Sequence, residues 1–108
     1  MVNRPHDLTI YIRQEGDQWV VDPNGGTVQP GYDVQWICEG SDVIFWFPQE
    51  DAFGQAMATR SSGQDLVVVA NSAAAGRRVP YAVYVVAKEG FATGLDGNEP
   101  HILIGDGP

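Results

Sequence analysis

The sequence predicts an all-β fold: an antiparallel Greek-key β-sandwich of about eight short strands. Three observations predict it. Runs of four to eight residues, rich in Val, Ile, Thr, Tyr, Phe and Trp, recur along the chain and mostly alternate with period two. Turn formers separate them, and the 13 Gly and seven Pro are scattered between the apolar runs rather than pooled. No stretch sustains a helical period beyond one or two turns. At 108 residues the chain reads as one domain spanning 1–108, able to bury roughly two-thirds of its unfolded surface in a single core.

In chain order, Leu8 to Arg13 alternates as a strand, Glu15-Gly16-Asp17 turns, and Gln18 to Asp22 returns as the second arm of a hairpin. Pro23-Asn24-Gly25-Gly26 breaks the ladder, because Pro lacks a donor while Asn and Gly accept positive φ. Thr27 to Gln29 is a short strand before the Pro30-Gly31 turn. Tyr32 to Glu39 is the clearest strand, with Val34, Trp36 and Cys38 on one side, Asp33, Gln35 and Glu39 on the other, and Ile37 interrupting the pattern. After Gly40-Ser41, Val43 to Phe47 is apolar on both sides. Pro48 to Arg60 is irregular, with a turn or two of helix between Gln49 and Met57 and Phe53 as its anchor to the core. Leu66 to Ala70 is a strand, Asn71 to Arg78 a small polar connection, and Val79 to Ala87 one long strand. Lys88 to Pro100 is a thirteen-residue loop, and His101 to Ile104 closes the sheet.

Three pieces of this order resemble the cupredoxin-like sandwich. Val28-Gln29-Pro30-Gly31-Tyr32-Asp33-Val34-Gln35-Trp36 is similar to that family's "V-x-P-G-x-x-V-x-W" strand pair. Val43-Ile44-Phe45 stands where the family reads "V-x-F". Tyr81 to Val86, a long loop and Pro100 to Ile104 resemble its last hairpin. Together the pieces run through residues 8–105 in order; an immunoglobulin-like sandwich is the alternative. The resemblance implies the scaffold, and the chain departs from its chemistry. Blue copper takes two histidines, a thiolate and a weak axial ligand. Ser41-Asp42 occupies the place of the first histidine, and the Ala87 to Pro100 loop has no Cys, His or Met. No cofactor is therefore expected.

Other chemistry is equally sparse. The lone cysteine, Cys38, permits no intramolecular disulfide and falls on the strand side shared by Val34 and Trp36, where a thiol packs as a small hydrophobe. His6 and His101 are 95 positions apart. Asp96, Asn98 and Glu99 surround Gly97 and are a weak calcium candidate, though Asp-Gly and Asn also simply form turns. No nucleophile motif or phosphate-binding glycine pattern occurs, so no enzymatic activity is expected. The net charge of −8 would be repelled by a phosphate backbone, which argues against nucleic acid. It is uneven: residues 1–54 carry nine acidic and two basic groups, residues 55–108 five and four. No apolar run is long enough to span a membrane, and the first residues have no signal-peptide core; a cytoplasmic location is the expectation.

What rises above background is apolarity on both sides of three strands. A sandwich with a wet outer face should alternate. If Phe45, Phe47, Leu66, Val68, Val83 and Val85 point inward, then Ile44, Trp46, Val67, Val69, Tyr84 and Val86 point outward. Either the Pro48 to Arg60 excursion covers these residues or they form an interaction surface. The sequence expectation is thus a metal-free protein-interaction or assembly module, using a protein partner or self-association. The alternative is a small-ligand or carbohydrate binder that stacks its ligand on Trp19, Trp46 or Tyr84.

Overall fold

The computed structural model describes residues 8–94 and 97–106; His6 and Asp96 lie outside the described residues. Twelve strands occur among them. In order they are β1 (Leu8–Glu15), β2 (Gln18–Asp22), β3 (Gly26–Val28), β4 (Asp33–Cys38), β5 (Val43–Trp46) and β6 (Met57–Arg60). They continue as β7 (Leu66–Val69), β8 (Arg78–Pro80), β9 (Ala82–Val85), β10 (Gly90–Phe91), β11 (Thr93–Gly94) and β12 (His101–Ile104). One short α-helix, α1, covers Glu50–Phe53, and Ser72–Ala74 and Val86–Lys88 are single 3-10 turns. The larger sheet runs β11-β2-β1-β4-β7, the one opposite runs β10-β9-β5-β6, and β3-β12-β8 forms a third, three-stranded sheet.

The all-β sandwich is present, with more strands than the eight expected and with three parallel pairings, β1 with β4, β2 with β11, and β3 with β12. Three segments account for the difference. Met57–Arg60 pairs antiparallel with β5, so the Pro48 to Arg60 excursion widens the sheet instead of covering its outer face. Its helix is a single turn, and Phe53 is buried in the core as expected. The long strand expected over Val79 to Ala87 is two strands in two sheets. Pro80 has no N–H to continue a ladder, and the Tyr81 N–H donates to Pro100 C=O at 3.0 Å. Before this point β8 pairs with β12; after it β9 pairs with β5. The expected final hairpin is therefore made by Arg78–Pro80 and β12, not by Tyr81 to Val86. Finally, Lys88 to Pro100 is no open loop: Phe91 pairs with Tyr84 in one sheet and Thr93 with Val20 in the other, with buried Ala92 between them.

The two main sheets meet over an aromatic centre. Trp36 on β4 lies 5.3–5.9 Å, ring to ring, from Tyr81, Phe47, Phe45 and Phe53. Its fellows on that face, Val34 and Cys38, are buried as the alternation requires. Burial of each large side chain here contributes about 1.5–3 kcal/mol, which outweighs any single surface interaction.

Candidate functional site

Two places are worth building from their residues: the corner where a copper site would sit in the resembling scaffold, and the outer face of the four-stranded sheet.

At the corner, the turn from β4 to β5 places Ser41 nearly out of solvent. Its hydroxyl donates to the Asp42 C=O at 2.7 Å and accepts the Ala87 N–H at 2.9 Å. The Asp42 C=O also accepts the Val86 N–H, and its carboxylate accepts the Ser62 N–H at 3.0 Å. The position of a first ligand thus ties the start of β5 to the end of β9. The side chain there is a committed hydroxyl, a hard and neutral oxygen. Cys38 points into the core, 2% exposed; burial pushes its thiol up to about 11, slightly offset by the Ser41 N–H. A thiol held protonated is neither a nucleophile nor a soft ligand at neutral pH. His101 belongs to the third sheet, where its ring packs against Gly25. Among the described residues no three His, Cys, Asp or Glu side chains gather as a metal site. The donor set does not fit copper.

The calcium candidate fares no better for its described members. The Asn98 C=O accepts the Gly94 N–H at 2.9 Å, and the Gly94 C=O accepts the Gly97 N–H at 2.8 Å, so the loop closes on its own backbone. Asn24 packs so closely over Gly94 that any Cβ there would collide with its amide. Glu99 already faces Arg78 at 3.2 Å. These are the contacts of a fixed turn.

The six outward apolar residues separate into two groups. Ile44, Trp46 and Tyr84 lie on the outer face of the four-stranded sheet; Val86 follows β9 and, with Ile44, lines the same shallow depression at its end. Val67 and Val69 lie on the five-stranded sheet, at its β7 edge. The first group gains two members that alternation alone does not reveal. Met57 stands directly opposite Trp46, and Phe91 directly opposite Tyr84. The rings of Trp46 and Phe91 are 5.9 Å apart, and those of Tyr84 and Phe91 are 5.4 Å apart and nearly perpendicular. Met57 is 54% exposed, Phe91 53% and Trp46 36%. The signal for both missed residues was weak: Phe91 sits in a glycine-flanked segment and Met57 at the end of an irregular one. Trp19 is buried beside the Glu39-Gly40 turn and offers no stacking platform.

No protein-family model and no curated protein sequence matches this chain. Among solved structures it is similar to a reduced Cu(I) form of an amicyanin variant at pH 4, with a TM-score of 0.56 and 10% identity over 95% of this chain and 85% of that one. That likeness supports a cupredoxin-like fold.

Proposed function

We propose that this protein is a non-catalytic, metal-free interaction module whose working surface is the outer face of the four-stranded sheet. The observation that supports it is the exposed cluster of Trp46, Phe91 and Tyr84, flanked by Met57 and Ile44 on paired strands. Trp and Tyr bring large, rigid contact area and carry much of the binding energy in protein interfaces, and Met adapts its shape to a partner. Contiguous apolar patches of several hundred Å2 mark association surfaces. The ligand is a folded or extended protein surface of matching apolar character.

The test compares the wild type with a Trp46→Ser/Phe91→Ser double variant. Substitution of two central interface aromatics should weaken partner binding by more than about thirtyfold, since a single such anchor is worth about 2 kcal/mol or more and about 1.4 kcal/mol is tenfold. The far-ultraviolet dichroism and the melting temperature should stay close to wild type, because neither ring belongs to the core. Equal retention of bound protein by both forms defeats the reading.

A second reading has its own observation. A groove of about 550 Å3 is lined by Tyr11, Ile37, Arg13, Gln14 and Glu39, and only an edge of the buried Trp19 reaches it, so Tyr11 is its exposed ring. Aromatic and polar groups so mixed suit a small polar ligand such as a sugar. Quenching or a spectral shift of Trp19 fluorescence on adding one of a glycan panel would favour it over the interaction module.

A further inference from the structure

We propose that β7 is a self-pairing edge through which two copies of this chain join their five-stranded sheets. The argument starts from hydrogen-bond parity. In an antiparallel pair, every second residue exchanges both backbone bonds with its partner, and the residues between direct theirs away. The Ala70 N–H donates to the Tyr32 C=O at 3.0 Å, and Val34 stands opposite Val68 and Trp36 opposite Leu66. Leu66, Val68 and Ala70 therefore bond to β4. The N–H and C=O groups of Val67 and Val69 point the other way, where no described strand lies.

Such an edge is normally blunted by a charge, a proline, a bulge or a cover. The other four-residue edge, β6, shows the device: Arg60 turns back and donates from Nη1 to the outward Thr59 C=O at 2.6 Å. The β7 run Leu-Val-Val-Val has no charge and no proline, and Val67 and Val69 are 40% and 52% exposed.

The edge is also complementary to itself. A two-fold axis through Val68 sets Val67 of each copy opposite Val69 of the other, and all four outward N–H groups meet all four outward C=O groups. The same register brings the four valine side chains together on the outer face, as β-branched cross-strand pairs. Beyond these residues Asp65 would stand opposite Asn71, so no two carboxylates face each other despite the net charge of −8; the Asp65 C=O and the Asn71 N–H already bond to Arg60 and to the Ala52 C=O, so the seam ends at Val67 and Val69. A foreign strand would gain the same backbone bonds, but nothing on the described surface selects one. The second copy matches in hydrogen bonds, side chains and charge at once. So short a seam falls at the weak end of protein interfaces and gives a concentration-dependent dimer.

The experiment is sedimentation and light scattering across a range of concentrations, paired with hydrogen exchange at single amides. The expected result is a rise from 11.7 kDa toward twice that mass, with the Val67 and Val69 amides becoming slower to exchange as the dimer forms. Val67→Pro removes only an outward donor, and Val67→Lys/Val69→Lys places like charges across the seam. Both should be monomeric, and the lysine variant keeps the test intact if the proline variant fails to fold. A monomer at every concentration overturns the proposal. So does a dimer that survives the lysine variant, or one that dissociates only in Trp46→Ser/Phe91→Ser. Slowed exchange at Val67 and Val69 that needs an added foreign peptide overturns it too.

Discussion

The outer face of the four-stranded sheet sets Trp46, Met57, Tyr84 and Phe91 side by side, and no ion pair among the described residues crosses it. The outer face of the five-stranded sheet carries apolar residues too, Tyr11, Ile37, Val67 and Val69, but threads polar groups between them. Arg13 reaches Glu15 at 2.7 Å and Asp22 at 2.9 Å, and Gln35 donates to Asp65 at 2.7 Å. Both faces rest on the same core, so packing does not explain the difference. Water accounts for the second face, which is solvated as an antiparallel sheet's outer side usually is. It does not account for the first, whose apolar rows gain nothing from exposure. The contrast teaches that a two-sided apolar strand is informative only when its cross-strand neighbours are apolar as well.

The largest way to break this comparison is to remove what the faces share. Trp36 descends from the five-stranded sheet into rings supplied by the four-stranded one. Trp36→Ala should cost about 3–5 kcal/mol in urea unfolding, as aromatic-to-alanine changes in cores do. Both faces should be lost in one transition, followed by near-ultraviolet dichroism for the aromatic cluster and by exchange of the Arg13 and Val68 amides for the other side. Two separate transitions would mean that the faces are independently supported.

A smaller effect probes the corner that joins the sheets. Cys38 titrates at about 11 in the folded chain against an ordinary 9.0, because burial disfavours the thiolate. As pH rises past 9, the unfolded chain releases this proton first, so stability is full below pH 9 and falls between 9 and 11. Each unit of separation is worth about 1.4 kcal/mol. Buried Tyr81, also pushed upward, adds its own alkaline loss at higher pH. The difference in unfolding free energy between wild type and Cys38→Ala should therefore narrow across pH 9–11. A constant difference would show that the thiol is reached by water.

How much of this was legible in the sequence depends on the range of the interaction that decides each element. β2 is found residue for residue, and β4 shows its alternation, because both are set by local pattern and bounded by turn residues. Pro80 was equally visible, but its consequence was not: whether a proline ends a strand or moves it to another sheet depends on Pro100, 20 positions away. The same holds for the candidate surface. Ile44, Trp46 and Tyr84 could be read as outward from parity, whereas their union with Phe91 and Met57 needs strand order. Val67 and Val69 share the parity and belong to a different sheet. The sequence offers Trp19 as a stacking platform, yet the Glu39-Gly40 turn closes over it, a contact between distant segments that no local pattern shows.

The smallest effect sharpens what the polar lacing does. Arg13 stands opposite Val20. Val21 points inward with Ile12, so Val20 points outward, and yet it is only 5% exposed. An arginine can cover such a residue with its methylene stem while its head stays in water among carboxylates. The two roles separate by substitution. Arg13→Met keeps the stem and removes the charge; its melting temperature should stay close to wild type, since exposed ion pairs contribute little. Arg13→Ala removes both and should melt lower, with a deficit that persists in 1 M salt, where the screening length is about 3 Å. If instead Met and Ala variants fall equally and salt abolishes the deficit, the lacing acts through charge alone. Val20 then owes its burial to Thr93 on its other side, and the polar face differs from the aromatic one in solvation without differing in how it packs.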